Sequence, residues 1–165
     1  MVELGKEGLN LPQGADIPTV TTEEEAPGWL KPLLSVNVSD QKEIDIGIGT
    51  LRGEPITDSE GRIWGCDDIS FRQPFSDHFH NPNLEIILVK SGRAKMKMGG
   101  DIFKEEDTFK MASFKQEVEI GPGSLIIVPP NVPQGIEIIE GPLETRVLMS
   151  PPYDPNTNFH ISLSS

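Results

Sequence analysis

Two histidines and one glutamate are the residues in this sequence whose types and spacing best suit chemistry. His78 and His80 are separated by one residue, so on a β-strand both imidazoles point to the same face. Residues 81–83 (Asn-Pro-Asn) favour a turn, after which Glu85 can return its carboxylate to the imidazoles. Two imidazoles and one carboxylate on one side of a divalent ion suit a transition metal with open positions opposite. The alternative is an exposed polar strand end beside a turn.

The composition predicts one domain built from many short strands. The chain has 165 residues, with 16 glycines, 15 prolines and few aromatic residues, which favours turns and strands over long helices. Its formal net charge of -12 argues against nucleic acid or an anionic membrane as a partner, because both require a basic surface. The charge does not indicate which small molecule the protein binds.

The sequence also bears on the cellular compartment. Cys66 is the only cysteine, so no internal disulfide is possible, and a buried apolar role is favoured over a reactive thiol. The first residues lack a basic patch followed by an apolar stretch, and no apolar segment approaches the ~20 residues that span a bilayer. We therefore expect a cytoplasmic protein.

Residues 1–30 differ from the rest of the chain and predict an extended N-terminal arm. They are rich in glycine, proline and acidic residues and end at the apolar Trp29 and Leu30, with Leu33 and Leu34 just beyond. These apolar residues would anchor the arm on the body of the protein or on a second subunit. An arm that pairs with the sheet edge of a second subunit would give a homodimer, which is the expected assembly. A disordered tail is the alternative.

Residues 31–165 are expected to form a single all-β domain. Residues 44–48 alternate between apolar and polar, 69–71 are expected to begin the strand that carries the two histidines, and 84–89 are apolar on both faces. Residues 90–92 are expected to turn. Further strands are expected at 93–98, 118–120, 125–128, 135–139, 145–149 and 159–163, with an extra aromatic-bearing hairpin at 101–117. About ten short strands predict a β-barrel or jelly roll.

Two segments together resemble the motifs of the cupin superfamily. The first family motif has the pattern G-x5-H-x-H-x(3,4)-E-x6-G, and His78, His80, Glu85 and Gly92 fall in register with it over residues 72–92, with Arg72 at the leading glycine. The second has the pattern G-x5-P-x-G-x2-H-x3-N over residues 123–138. Gly123 and Pro129 match it, whereas Asn131, Gln134 and Ile138 replace the later glycine, histidine and asparagine.

The resemblance implies a fold and a ligand set. The fold is the cupin-type double-stranded β-helix, a jelly-roll barrel, and the implied ligands are His78, His80, Glu85 and the residue at position 134. Gln134 could bind the metal weakly through its amide oxygen, or it could hydrogen-bond a substrate or a metal-bound water. The implied cofactor is one divalent transition metal, with iron as the first candidate and Mn, Ni, Co or Zn as the others.

Two further residues are candidates for catalysis beside Gln134. His160, in the last predicted strand, could serve as a base near the metal or as a replacement ligand, and the alternative is a surface histidine. Tyr153, the only tyrosine, could donate a proton, and the alternative is a packed or exposed loop residue.

The functional hypothesis is a metal-dependent enzyme that acts on a small organic molecule. With two histidines and one glutamate as ligands, a non-haem Fe(II) dioxygenase is the first expectation. An isomerase or lyase that uses the metal as a Lewis acid is a second possibility, and a non-catalytic metal-binding or ligand-sensing barrel is a third. A metal-free sugar-processing cupin does not need all three of His78, His80 and Glu85.

Overall fold

The computed structural model describes residues 18–164, which are mostly β-strand, and the expectations for residues 1–17 of the arm and for Ser165 lie outside it. The described part holds twelve strands and one short α-helix: β1 (Thr19–Thr22), α1 (Lys31–Leu34), β2 (Ile44–Asp45), β3 (Gly49–Thr57), β4 (Ile63–Phe71), β5 (His78–His80), β6 (Leu84–Met98), β7 (Ile102–Glu105), β8 (Thr108–Met111), β9 (Gln116–Ile120), β10 (Ser124–Val128), β11 (Gln134–Ser150) and β12 (Asn158–Leu163). Single 3-10 turns lie at Glu23–Glu25 and Pro155–Thr157. Within this part no helix is long and apolar enough to cross a bilayer.

Two long bent strands, β6 and β11, join the two layers of the barrel. Residues 84–89 of β6 pair with the last part of β11, and residues 94–98 pair with its beginning. The first layer has the order β1-β10-β6-β11-β4-β3-β2, and the second has the order β9-β6-β11-β5-β12-β8-β7. This is the jelly-roll arrangement that the strand pattern predicted.

The bend in β6 corrects the prediction of a turn at residues 90–92. The strand continues through these residues, so the segments expected at 84–89 and 93–98 form one strand. Gly92 lies at the bend with a φ of 86°, and a Cβ there would lie 2.5 Å from the Pro142 carbonyl oxygen. Only glycine combines this conformation with so close an approach of β11. The segments expected at 135–139 and 145–149 likewise belong to the single strand β11.

The strand expected to lead from Ile69 to the histidines is in fact two strands. β4 ends at Phe71, and β5 begins only at His78. Strand β4 pairs with the last part of β11, whereas β5 pairs with its first residue and with β12. The connection therefore carries the chain from the first layer to the second.

Apolar side chains on the two faces of β6 belong to two separate cores. Leu84, Ile86 and Leu88 face outward, where residues 26–38 cover them with a buried group that includes Leu30. Ile87 and Val89 face inward and pack with the apolar residues that fill the barrel. The inward face is also the face of Glu85, because side chains alternate along a strand.

The predicted arm, as far as it is described, lies on the barrel of its own chain. β1 adds to the edge of the first layer by pairing antiparallel with β10. Leu30 is fully buried, and Leu33 and Leu34 are each 5% exposed. The apolar residues that motivated a dimer thus find partners within the chain.

A buried arginine holds the segment after α1 against the barrel, and the sequence analysis did not identify it. Arg146 is 1% exposed on the outer face of β11. It donates to the Asp68 carboxylate at 2.7 Å, to the Val36 carbonyl at 2.6 Å, and to the Leu33 and Leu34 carbonyls at 3.3 Å each. These carbonyls include ones left unpaired at the end of α1.

The segment 101–117 contains a hairpin, as the sequence predicted. Strands β7 and β8 pair antiparallel, and β8 pairs parallel with β12. Phe109 of the hairpin contacts Phe79 and Phe159 with ring centroids 5.1 and 5.6 Å apart. This cluster covers the face of β5 opposite to the histidines.

Candidate metal centre

His78, His80 and Glu85 meet inside the barrel. All three residues are buried, and one potential ligand atom from each lies within 4.8 Å of the others. The alternation along β5 places both imidazoles on one face and Phe79 on the other, and Glu85 is the second residue of β6. The arrangement agrees with the geometry expected from the spacing of these residues and the turn at 81–83.

A backbone carbonyl fixes the tautomer of the His78 imidazole. Its Nδ1 lies 2.7 Å from the Ser76 carbonyl oxygen, which can only accept, so Nδ1 carries the proton and Nε2 keeps a free lone pair. Burial lowers the pKa of His78, although the nearby Glu85 carboxylate acts in the opposite direction. A neutral ring with one lone pair is the form that binds a metal.

His80 is also neutral at physiological pH, because burial lowers its pKa to about 4. Its Nε2 lies 3.8 Å from Glu85 Oε1. Its Nδ1 is buried without a hydrogen-bond partner among the described residues.

Glu85 is a buried carboxyl group whose pKa burial raises, while His78 and the Gln134 amide act to lower it. Gln134 donates from Nε2 to Glu85 Oε1 at 2.5 Å. Because both imidazoles favour the neutral form, neither of them balances a negative charge on Glu85. A bound cation would do so, since a buried charge is costly unless it is paired.

Gln134 lies at the site, as its place in the second motif suggested. It is the first residue of β11, lies directly opposite His78, and is fully buried. Its amide nitrogen faces Glu85, and its Oε1 is buried without a hydrogen-bond partner among residues 18–164. That oxygen remains available to a metal ion, to a water or to a substrate.

The donor set therefore fits a first-row divalent metal. It offers two neutral imidazoles, one carboxylate, and an unpartnered amide oxygen beside them. Mixed nitrogen and oxygen ligands of this kind suit Fe, Mn, Co, Ni or Zn better than Ca or Mg, which prefer oxygen ligands.

His160 and Tyr153 lie beside this centre and have exposed side chains. His160 is directly opposite His78 on β12, and its Nδ1 is 3.0 Å from the Ser76 hydroxyl. Tyr153 is 54% exposed, and its ring centroid is 6.2 Å from that of His80. Neither belongs to the converging group of ligand atoms.

Asp67 is a candidate that the sequence analysis did not identify. It lies in β4, directly opposite Val147, a residue of the barrel core. Directly opposed residues share a face, so Asp67 faces the barrel interior. Burial, followed by the Asp68 charge, raises its pKa to about 6. A Cβ on the opposite residue, Gly53, would overlap its carboxylate, so glycine makes room for it.

A cavity of about 460 Å³ lies on the Phe79 face of β5, opposite to the face that carries His78 and His80. Its walls include Phe79, Phe109 and Phe159 from the hairpin cluster, with Asn81 and Asn131 among its polar residues.

Comparisons with known proteins find similarity in structure rather than in sequence. No protein-family model and no curated protein matches the sequence. Among solved structures, Streptomyces Pac13, described as a nucleoside dehydratase, superposes with a TM-score of 0.55 at 17% identity, over 78% of this chain and 91% of its own. Variants of Pac13 have been solved with uridine. Oxalate decarboxylase from Bacillus subtilis superposes with a TM-score of 0.54 at 17% identity, over 76% of this chain and 31% of its own.

At such identities the likeness concerns the fold alone. The bent strands, the inward-facing His78, His80 and Glu85, and these superpositions agree with each other. The chain has the cupin-type β-barrel fold that its two motifs predicted.

Proposed function

We propose that this protein is a metal-dependent enzyme that acts on a small organic molecule inside the barrel. His78, His80 and Glu85 would hold the metal. The observation that carries the proposal is that two neutral imidazoles and one carboxyl group are buried together, and that no cationic side chain of residues 18–164 pairs the carboxylate. A divalent transition metal bound there supplies a Lewis acid and, in the case of Fe(II), reactivity with O₂.

The surrounding residues have separate roles in this proposal. The Ser76 carbonyl orients His78, and the Gln134 amide orients Glu85. The unpartnered Oε1 of Gln134 can accept a hydrogen bond from a substrate hydroxyl or from a water. The apolar barrel core limits the access of bulk water to the site.

The first reaction class is an Fe(II)-dependent dioxygenase. Two histidines and one carboxylate leave adjacent coordination positions open, which such chemistry requires. In purified protein loaded with Fe(II), a panel of small acids and phenols should therefore include a compound that stimulates O₂ consumption.

A lyase or isomerase is the second candidate, and Asp67 is the observation that favours it. An inward-facing carboxyl group with a pKa of about 6 can take up or release a proton near neutral pH. Two of the structural neighbours are described as a nucleoside dehydratase and an oxalate decarboxylase, and dehydration and decarboxylation are lyase reactions. Such an activity would persist without O₂ and with Mn, Co or Zn in place of Fe, and Asp67→Asn would lower kcat.

Both candidate reactions require a bound metal, and the metal content of the protein tests that requirement. Protein purified without chelators should contain stoichiometric transition metal by elemental analysis, and His80→Ala should lose it. His160→Ala is the matched control, because this histidine is exposed and lies outside the ligand group. Unchanged metal in His80→Ala would overturn the assignment. Stoichiometric metal without turnover in either assay would favour a binding or sensing module instead of an enzyme.

A further inference from the structure

The two histidines of the metal centre differ in what holds their second ring nitrogen. His78 Nδ1 bonds the Ser76 carbonyl at 2.7 Å, whereas His80 Nδ1 is buried without a partner in the described part of the chain. A metal-binding histidine nearly always donates its other N–H to an acceptor, which fixes the tautomer and the ring orientation. His80 therefore lacks one element that a metal ligand normally has.

A matching acceptor stands directly opposite His80. Asn158, the first residue of β12, is its register partner, so the two side chains share a face of the sheet. Asn158 Oδ1 is buried and, within residues 18–164, has no hydrogen-bond partner. Two facing residues thus each carry one buried, unsatisfied polar atom, and native proteins rarely leave such atoms unpaired.

The nitrogen of the Asn158 amide already has a hydrogen-bond partner. Its Nδ2 donates to the Tyr153 hydroxyl at 3.4 Å, and the Tyr153 ring lies edge-on to His80 with centroids 6.2 Å apart. With the nitrogen turned to Tyr153, the carbonyl oxygen is the atom free to accept from elsewhere. In this orientation the amide presents its carbonyl oxygen as an acceptor.

We infer that Asn158 is the positioning residue for His80. In the metal-bound protein its Oδ1 accepts the Nδ1–H of His80. A carbonyl oxygen cannot donate, so this bond selects the tautomer with a lone pair on Nε2, the nitrogen nearer Glu85 at 3.8 Å. Asn158 does for His80 what the Ser76 carbonyl does for His78. The inference rests on the proposed metal site but adds a residue that the motif does not include.

Metal affinity, measured by competition with a chelator, is the first test. Asn158→Ala should weaken affinity by roughly 10- to 100-fold, the usual effect of losing such a partner. Asn158→Asp, which keeps an acceptor oxygen, should retain affinity. Asn156→Ala is the matched control, since this residue is exposed and donates its backbone N–H, which the substitution keeps, to Asp154 in the turn before β12. The metal affinity of Asn156→Ala should equal that of the parent.

Nitrogen NMR of histidine-labelled parent protein loaded with Cd²⁺ is the second test, and it needs no variant. We expect coupling of the metal to His80 Nε2 and a slowly exchanging proton on Nδ1. That proton should exchange rapidly in Asn158→Ala and stay protected in Asn158→Asp. Ligation through Nδ1, or affinities in Asn158→Ala equal to those of the parent, would overturn the role of Asn158 while leaving the metal site intact. A parent protein that binds no metal would overturn both proposals.

Discussion

At the residue scale, the amide of Gln134 determines how open the proposed metal site is. An imidazole at this position would be a strong ligand, whereas a neutral amide binds these metals weakly. In the structure the amide nitrogen donates to Glu85, and the amide oxygen has no hydrogen-bond partner within the described part of the chain. We therefore propose that Gln134 orients Glu85 and leaves one coordination position to water or substrate.

Gln134→His should raise metal affinity and lower activity, because the imidazole would occupy the open position. Gln134→Ala should lose roughly tenfold in affinity, since Glu85 loses the donor that orients it. Chelator competition and a turnover assay measure both effects. A loss of affinity far beyond 100-fold in Gln134→Ala would show that the amide oxygen is a direct ligand. If both variants match the parent in metal affinity and activity, Gln134 has no role at the site.

Asp67 should make folding stability depend on pH. Burial raises its pKa from 3.8 to about 6, so the folded state holds this proton more tightly than the unfolded state does. Ionising the buried carboxyl therefore lowers the free energy of unfolding. This loss of stability is absent below pH 4, grows between pH 4 and 6, and is complete above pH 6. Asp67→Asn should therefore stabilise the protein at pH 7 by about 1 kcal/mol, less than the ~3 kcal/mol of the full shift because water still reaches the carboxyl.

Urea unfolding of Asp67→Asn at pH 4 and pH 7 measures this effect. The stabilisation should be present at pH 7 and largely vanish at pH 4. Asp107→Asn, at an exposed turn between β7 and β8, should show neither effect. A variant less stable than the parent at both pH values would contradict the assignment of Asp67 as a carboxyl group that burial destabilises.

At the scale of elements, Arg146 connects strand β11 to the segment that follows α1. Arg146→Met removes a buried charge-assisted bond to Asp68 and leaves the carbonyls of Leu33, Leu34 and Val36 without their donor. We expect a loss of about 3 kcal/mol in the free energy of unfolding. Arg146→Lys should recover only part of this loss, because one ammonium cannot reproduce the planar fork of a guanidinium.

Denaturant unfolding tests the role of Arg146. Arg93→Met is the control, because Arg93 is 47% exposed and pairs with Glu119 at the surface, where an ion pair contributes about 0.5 kcal/mol. Equal unfolding midpoints for the two methionine variants would show that the buried arginine does not stabilise the segment.

At the scale of the whole molecule, we propose a homodimer that acts on a small molecule. Light scattering of the intact chain should give the mass of a dimer, and a monomer would contradict the proposal. Deletion of residues 1–30 is a poor test of an intermolecular arm, because it removes strand β1 and the buried Leu30 from the chain's own barrel. We expect that deletion to lower the unfolding midpoint whatever the oligomeric state.

The local sequence was sufficient to predict the all-β class, several strand segments and the three residues that converge inside the barrel. The positions of His78 and His80 on one face follow from the two-residue period of a strand, and the return of Glu85 follows from the turn at 81–83. The inward and outward faces of residues 84–89 could also be predicted, because alternation requires no knowledge of distant strands. Continuity through residues 90–92 could not, since the bend depends on the approach of Pro142 to Gly92.

The remaining features depend on which distant strands become neighbours and in which register. Gln134 meets Glu85 across 49 positions of the chain, and Arg146 reaches the Val36 carbonyl across 110. Asn158 faces His80, and Asp67 faces Gly53, only because of the pairing register. A shift of one residue in either pairing would turn these side chains to the opposite face. Register is set by the packing of the whole barrel, so the tertiary structure alone decided which polar groups surround the three proposed metal ligands.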